Sequence, residues 1–225
     1  MIRDDFDFEP VRGLSELLPA GEQMLWQGAP DFKTLAIKAF HVRKVAVYFL
    51  LLLAWSFMSA WHDSQLARAL ISSMWLVPLG IAAAGILTLL AWFVSQTTVY
   101  TITSQRIVMR YGIALPVTLN LPFRRVQSAA LKTNGNGSGD IPLALVAGDQ
   151  ISWLILWPHV RPFGFVKAEP MLRALADAGN VATILSGALA VANGGRAPVA
   201  IAPRTTMQPS RPLDTPAAGM AEAPA

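Results

Sequence analysis

The chain has 225 residues, of which 53% are hydrophobic and only 14% charged, against roughly 25% charged in ordinary soluble domains. Its formal net charge is +4 and it contains no cysteine, which excludes disulfides, thiolate metal sites and a cysteine nucleophile. The shortage of charge is concentrated in two blocks, as in a bilayer-spanning chain.

Residues 1–30 carry Asp4, Asp5, Asp7, Glu9 and Glu16 without an apolar core, so this start is not a signal peptide. It reads as an N-terminal cytoplasmic segment. Asp31, after Pro30, is placed to cap a helix over 31–44. Phe32, Leu35, Ala36, Ala39 and Phe40 recur there at helical spacing, with Lys33, Lys38 and His41 elsewhere. Two readings stay open: an amphipathic helix lying in the membrane interface, or an extension of the span that follows.

Residues 45–61, VAVYFLLLLAWSFMSAW, hold no charge and reach about 25 Å as a helix, slightly short of a roughly 30 Å hydrocarbon core. Arg43 and Lys44 at one end, with Trp55, Trp61 and His62 toward the other, are placed to anchor the span. Residues 70–94 are also uncharged and reach about 37 Å, with Pro78 as a bend point. Gly80, Ala84 and Gly85 supply small residues where a helix can approach, either the first span or a helix of another protein. Only residues 62–69 connect the two blocks, so both ends of the chain lie on one side. Lys33, Lys38, Arg43 and Lys44 before the hairpin and Arg106, Arg110, Arg124 and Arg125 after it make that side cytoplasmic.

From residue 97 the pattern turns to short β-rich runs at 98–102, 107–111, 117–121, 126–131, 141–146 and 151–157, separated by turn signals. They predict a small antiparallel barrel. Helices are expected over 169–178 and 181–192, closing a cytoplasmic domain that spans 97–192. The Pro/Ala-rich tail, 193–225, is expected to lack structure. The Gly-rich run at 134–140 lacks the Lys-Ser/Thr ending of a phosphate loop and precedes a strand pattern, so a hairpin loop suffices.

Between residues 96 and 167, Arg106, Arg110, Arg124, Arg125, Lys132, Arg161 and Lys167 stand against Asp140 and Asp149. This excess suits anionic lipid headgroups or an acidic protein. Nucleic acid is not an expected partner, because the domain is tethered and carries no nucleic-acid motif. None of His41, His62 and His159 has a second ligand at metal-binding spacing, and Met58 stands where a pigment-binding helix would carry a small residue before His62. No nucleophile–base set appears, and the span interiors hold no ionisable group. Catalysis, transport, a metal and a cofactor are therefore not expected.

The stretch Tyr100-Thr101-Ile102-Thr103 with Arg106-Ile107-Val108 and Gly112 resembles bacterial membrane-flanked pleckstrin-homology-like domains, split barrels closed by a C-terminal helix. A wider set is more specific. It comprises Gly21-Glu22, Leu25-Trp26-Gln27-Gly28, Pro30-Asp31, the run from Ala39 to Val45, Trp157-Pro158-His159-Val160-Arg161-Pro162 and the run from Glu169 to Ala174. Together these resemble the PuhB family, photosynthetic complex assembly proteins of purple bacteria, over about Leu14 to Ala192.

The combined expectation is a membrane α+β protein: a two-helix transmembrane hairpin, then a small antiparallel pleckstrin-homology-like split barrel with a C-terminal helix. The resemblance implies a non-catalytic assembly factor for the photosynthetic reaction centre and its core antenna, in the inner or intracytoplasmic membrane. Its implied partners are the reaction-centre H subunit and further reaction-centre or core-antenna subunits, beside anionic lipids; a homodimer stays open. A docking or lipid surface is expected to join Trp26, His41, Arg43, Lys44, Arg106, Arg124, Arg125, His159 and Arg161. The competing reading is a lipid-binding membrane adaptor unrelated to photosynthesis.

Overall fold

The computed structural model describes residues 13–14, 16–62, 66–146, 152–161, 168–192, 194 and 202–203. Strand β1 (Met24–Gly28) leads into helix α1 (Phe32–Lys38), then two long helices, α2 (Val42–His62) and α3 (Leu66–Thr97). Both are long and apolar enough to cross a membrane. Leu50, Leu51, Trp55, Met58, Trp75 and Ile81 on their flanks are all exposed, an apolar surface far larger than soluble proteins tolerate. The helices pack on each other as a hairpin. At Gly80 an added Cβ would lie 2.9 Å from Phe49 Cγ, so glycine admits the first helix there. Gly85 meets nothing within 4 Å and faces outward.

The region expected as one helix over 31–44 is two. The Asp31 carboxylate accepts the Thr34 amide at 2.8 Å, capping α1. His41, at φ 56, separates α1 from α2 while its carbonyl accepts the amides of Lys44 and Val45. Leu35, Ala36 and Phe40 pack with Leu87, Leu90, Ala91 and Val94 of α3 and with Ala174. The apolar stripe of α1 is thus docked on the second long helix.

Two residues past α3 the chain enters β2 (Val99–Thr103), followed by β3 (Arg106–Tyr111) and β4 (Val117–Pro122). With β1 they form an antiparallel sheet in the order β1-β2-β3-β4. A 3-10 turn, Phe123–Arg125, leads to β5 (Val126–Thr133) and β6 (Gly139–Leu145). A second sheet runs β7-β6-β5-β8, with β7 at Met171–Leu175 and β8 at Ala202–Pro203. Alternate residues of the two sheets, among them Tyr100, Ile102, Ile107, Met109, Ile141, Leu143 and Leu172, meet in one core. Helix α5 (Ala178–Ala192) closes it, burying Val181, Ala182, Leu185, Ala188 and Leu189 along one stripe. This is the expected hairpin, split barrel and C-terminal helix.

Four local expectations are corrected. The run at 151–157 forms a one-turn helix, α4 (Trp153–Leu156); β6 is already flanked by β5 and β7, so no place beside it is left. The helix expected over 169–178 is instead strand β7, because pairing with β6 through Ile141–Leu172 and Pro142–Met171 outweighs the helical preference of its Ala, Leu and Met. Residues 24–28, for which no element was expected within the N-terminal cytoplasmic segment, form β1. Ala202 and Pro203 of the tail pair with Ala130 and Leu131 of β5. Residues 1–12, most of the tail and 63–65 of the inter-helix connection lie outside the described residues.

Candidate functional site

The surface expected to be continuous is divided by the barrel's own geometry. Strand β2 leaves the hairpin at Val99 and runs away from it; β3 returns, with Arg110 opposite Val99. Strand β4 runs outward again, with Pro122 opposite Arg106. Arg106, Arg124 and Arg125 therefore sit at the end of the sheet far from the hairpin, Arg106 being about 13 Å along β3 from Arg110. His41, Arg43 and Lys44 are exposed at the start of α2, at the hairpin end. The structure brings the cations together as two separate groups.

Within these groups the residues differ in what they do. Arg124 and Arg125 are exposed on the 3-10 turn. Arg106 is tied down: its Nε donates to Glu22 Oε1 at 2.8 Å, and the same oxygen accepts the Thr103 hydroxyl at 2.6 Å. The Glu22 side chain is 2% exposed, so this corner fixes the start of β1 to the turn between β2 and β3. Arg161 pairs with Glu169 at 2.8 Å. Trp26 lies half-buried against the core and across Gly28, whose added Cβ would overlap the indole ring. These three are occupied in holding the barrel.

His159 is corrected most clearly. Expected on the docking surface, it is fully buried. Its Nδ1 lies 2.7 Å from the Tyr100 hydroxyl and its Nε2 3.1 Å from Thr98 Oγ1. The Tyr100 oxygen also accepts the Arg173 amide at 3.2 Å; with Nδ1 as the acceptor within reach of the phenolic proton, we assign the proton to that bond. The imidazole is then the neutral Nε2–H tautomer, donating to Thr98. Burial, reinforced by the nearby Arg173 charge, lowers the His159 pKa to about 3. Burial likewise raises that of Tyr100. Both ring nitrogens are spent, leaving none for a metal or a substrate proton.

Around this histidine stand groups that sequence reasoning passed over. The Arg173 guanidinium donates to the Pro158 carbonyl at 2.8 Å, while burial lowers its pKa against the opposing pull of Asp140 and Tyr100. Next to it Ala174 holds φ 53, unusual for a residue with a Cβ. Its amide donates to Asp140 Oδ1 at 2.8 Å, and its carbonyl accepts the Asp31 amide at 2.7 Å. Barrel, α1 and the end of α3 are thus joined through Thr98, His159, Tyr100, Ala174 and Asp31. Of these, Asp31, Tyr100, His159, Arg173 and Ala174 fall inside the stretches that carry the resemblance, whereas Thr98 and Asp140 lie outside them. Those stretches build the joint between hairpin and barrel. Among the described residues no cluster of His, Asp and Glu is arranged to hold a metal.

Residues 35–189 match the family described as Bacterial PH domain. The chain is also 39% identical, over 186 residues, to an uncharacterized 23.7 kDa protein in the puhA 5′ region of Rhodobacter capsulatus, covering 82% of this chain and 87% of that one. No solved structure matches it. With a family match running from α1 to α5 around a split barrel and its closing helix, the chain belongs to the bacterial PH domain family.

Proposed function

We propose that this chain is a non-catalytic membrane assembly factor of the PuhB type, serving the photosynthetic reaction centre and its core antenna. The observation that carries the reading is the 39% identity to an uncharacterized protein in the puhA 5′ region, taken together with the sequence resemblance to the PuhB family. In this reading the hairpin spans the inner or intracytoplasmic membrane, with both termini and the barrel on the cytoplasmic side. Arg43 and Lys44 meet anionic headgroups, while Arg124 and Arg125, exposed at the far end of the barrel, dock on an acidic face of the reaction-centre H subunit. The outward Gly85 face accepts a helix of another reaction-centre or antenna subunit, or of a second copy of this chain.

A deletion strain tests the proposal through the near-infrared absorbance of its membranes. Loss of reaction-centre accumulation with otherwise normal membranes is the expected result. Unchanged photosynthetic complexes would overturn it. They would favour the second reading, a lipid-binding adaptor held at the bilayer by the exposed Arg43–Lys44 pair.

A further inference from the structure

We infer that the hairpin end of the barrel carries a second, shallow membrane contact: two uncharged apolar tips that enter the headgroup and acyl-chain boundary of the bilayer. The inference rests on reading the hairpin as membrane-spanning, and its occupant is the surface of that same bilayer.

The first tip is the loop between β3 and β4. Because β2 departs from the hairpin at Val99 and β3 returns antiparallel to end opposite it, this loop projects at the hairpin end of the sheet. It reads Gly-Ile-Ala-Leu-Pro, with Leu115 80% and Ile113 45% exposed. Gly112, at φ 122, lets the Leu115 carbonyl fold back where any Cβ would collide with it, which fixes the loop as a tight apolar knuckle.

The second tip is α4. The Trp157 ring stands edge-on to Phe40 at 5.6 Å, and Phe40 belongs to the cluster that α1 makes with Ala91 and Val94 of α3. Two residues on, His159 bonds Thr98 at the end of α3 and packs on Tyr111 at the base of the first tip. Leu156 is buried and holds the turn from behind, while Ile155 and Trp157 remain 54% and 49% exposed.

Single exposed apolar side chains are ordinary on a protein surface. Here they are gathered on two tips at the hairpin end of the barrel, the second of them joined through Phe40 to the cluster that α1 makes with α3. Neither tip carries a charge, and tryptophan favours the bilayer interface. A five-residue loop and a one-turn helix reach only about 5–10 Å, the depth of interfacial rather than spanning elements.

The absence of cysteine allows single labels in the full chain. Leu115→Cys and Ile155→Cys would each carry an environment-sensitive fluorophore in vesicles of phosphatidylcholine and phosphatidylglycerol with brominated acyl chains. Ile81→Cys, on the exposed flank of α3, and Gln105→Cys, at the far end of the barrel, serve as references. The expected result is blue-shifted, bromine-quenched emission at 115 and 155 as at 81, with neither effect at 105. Labels at 115 and 155 that behave like 105 while 81 is quenched would overturn the inference and leave the hairpin standing. A label at 81 that is not quenched would remove the membrane-spanning reading and the inference with it.

Discussion

Replacing His159 by phenylalanine gives a test with an internal signature. The ring contacts to Tyr100 and Tyr111, with centroids at 5.7 and 5.4 Å, are approximately kept. The Tyr100 hydroxyl and Thr98 Oγ1 lose their partner in a fully buried site, at about 1–3 kcal/mol each. At pH 7 the variant should therefore be less stable by about 2–6 kcal/mol. The pH dependence adds a second signature. In the unfolded chain this histidine binds a proton below about pH 6.5, whereas burial keeps it neutral in the fold down to about pH 3. Between those values the unfolded state holds the extra proton, so wild-type stability falls as pH falls, by about 1.4 kcal/mol per unit. His159→Phe has no such loss. From pH 6.5 to 4.5 the gap between wild type and variant should narrow by about 2–3 kcal/mol. For a chain of this size that is about 5–10 °C in the apparent midpoint of thermal unfolding in detergent. Carboxylate titration is common to both proteins and cancels in the difference. A gap that stays constant across this range would refute the buried, neutral assignment.

Other substitutions probe the remaining joints. Gly80→Leu should push Phe49 aside and part the hairpin helices, lowering stability in detergent by about 1–3 kcal/mol. Gly85→Ala, facing open space, should be neutral or stabilising by up to about 1 kcal/mol; equal effects at both positions would contradict the packing. Glu22→Ala removes the acceptor of Arg106 Nε, while the Thr103 hydroxyl keeps the Arg106 carbonyl at 3.0 Å, and should cost about 1–3 kcal/mol in chemical unfolding. Combined with Arg106→Ala it should cost clearly less than the sum of the single changes. Asp140→Ala frees the strained Ala174 amide and should cost about 1–3 kcal/mol, with Asp140→Asn, which keeps an acceptor, costing less.

Much of the architecture was legible because it rests on long or periodic signals. The two uncharged blocks, the five β-rich runs from 98 to 146 and the apolar stripe of α5 each carry their own pattern. The Asp31 cap was equally local. What escaped depends on partners distant in sequence. Strand β1 exists because Trp26 to Gly28 pair with Ile102 to Tyr100, and nothing local in Met-Leu-Trp-Gln-Gly announces a strand. The β7 segment has helical residues in an extended pairing. The candidate surface was legible only in part, because composition shows that cations are in excess and not where the strands carry them. Arg124 and Arg125 are exposed, Arg106 and Arg161 are in ion pairs, and His159 is inside. A histidine between proline and valine looks the same in sequence whether it faces lipid or a buried tyrosine.

The docking claim is most directly tested by affinity purification of the tagged full chain from detergent-solubilised membranes, with reaction-centre subunits quantified by mass spectrometry. The H subunit should co-purify with the wild-type chain. Its yield, normalised to the folded chain recovered, should fall at least severalfold with Arg124→Glu and Arg125→Glu together. The same H-subunit yield with both arginines reversed, or none with the wild-type chain, would contradict it.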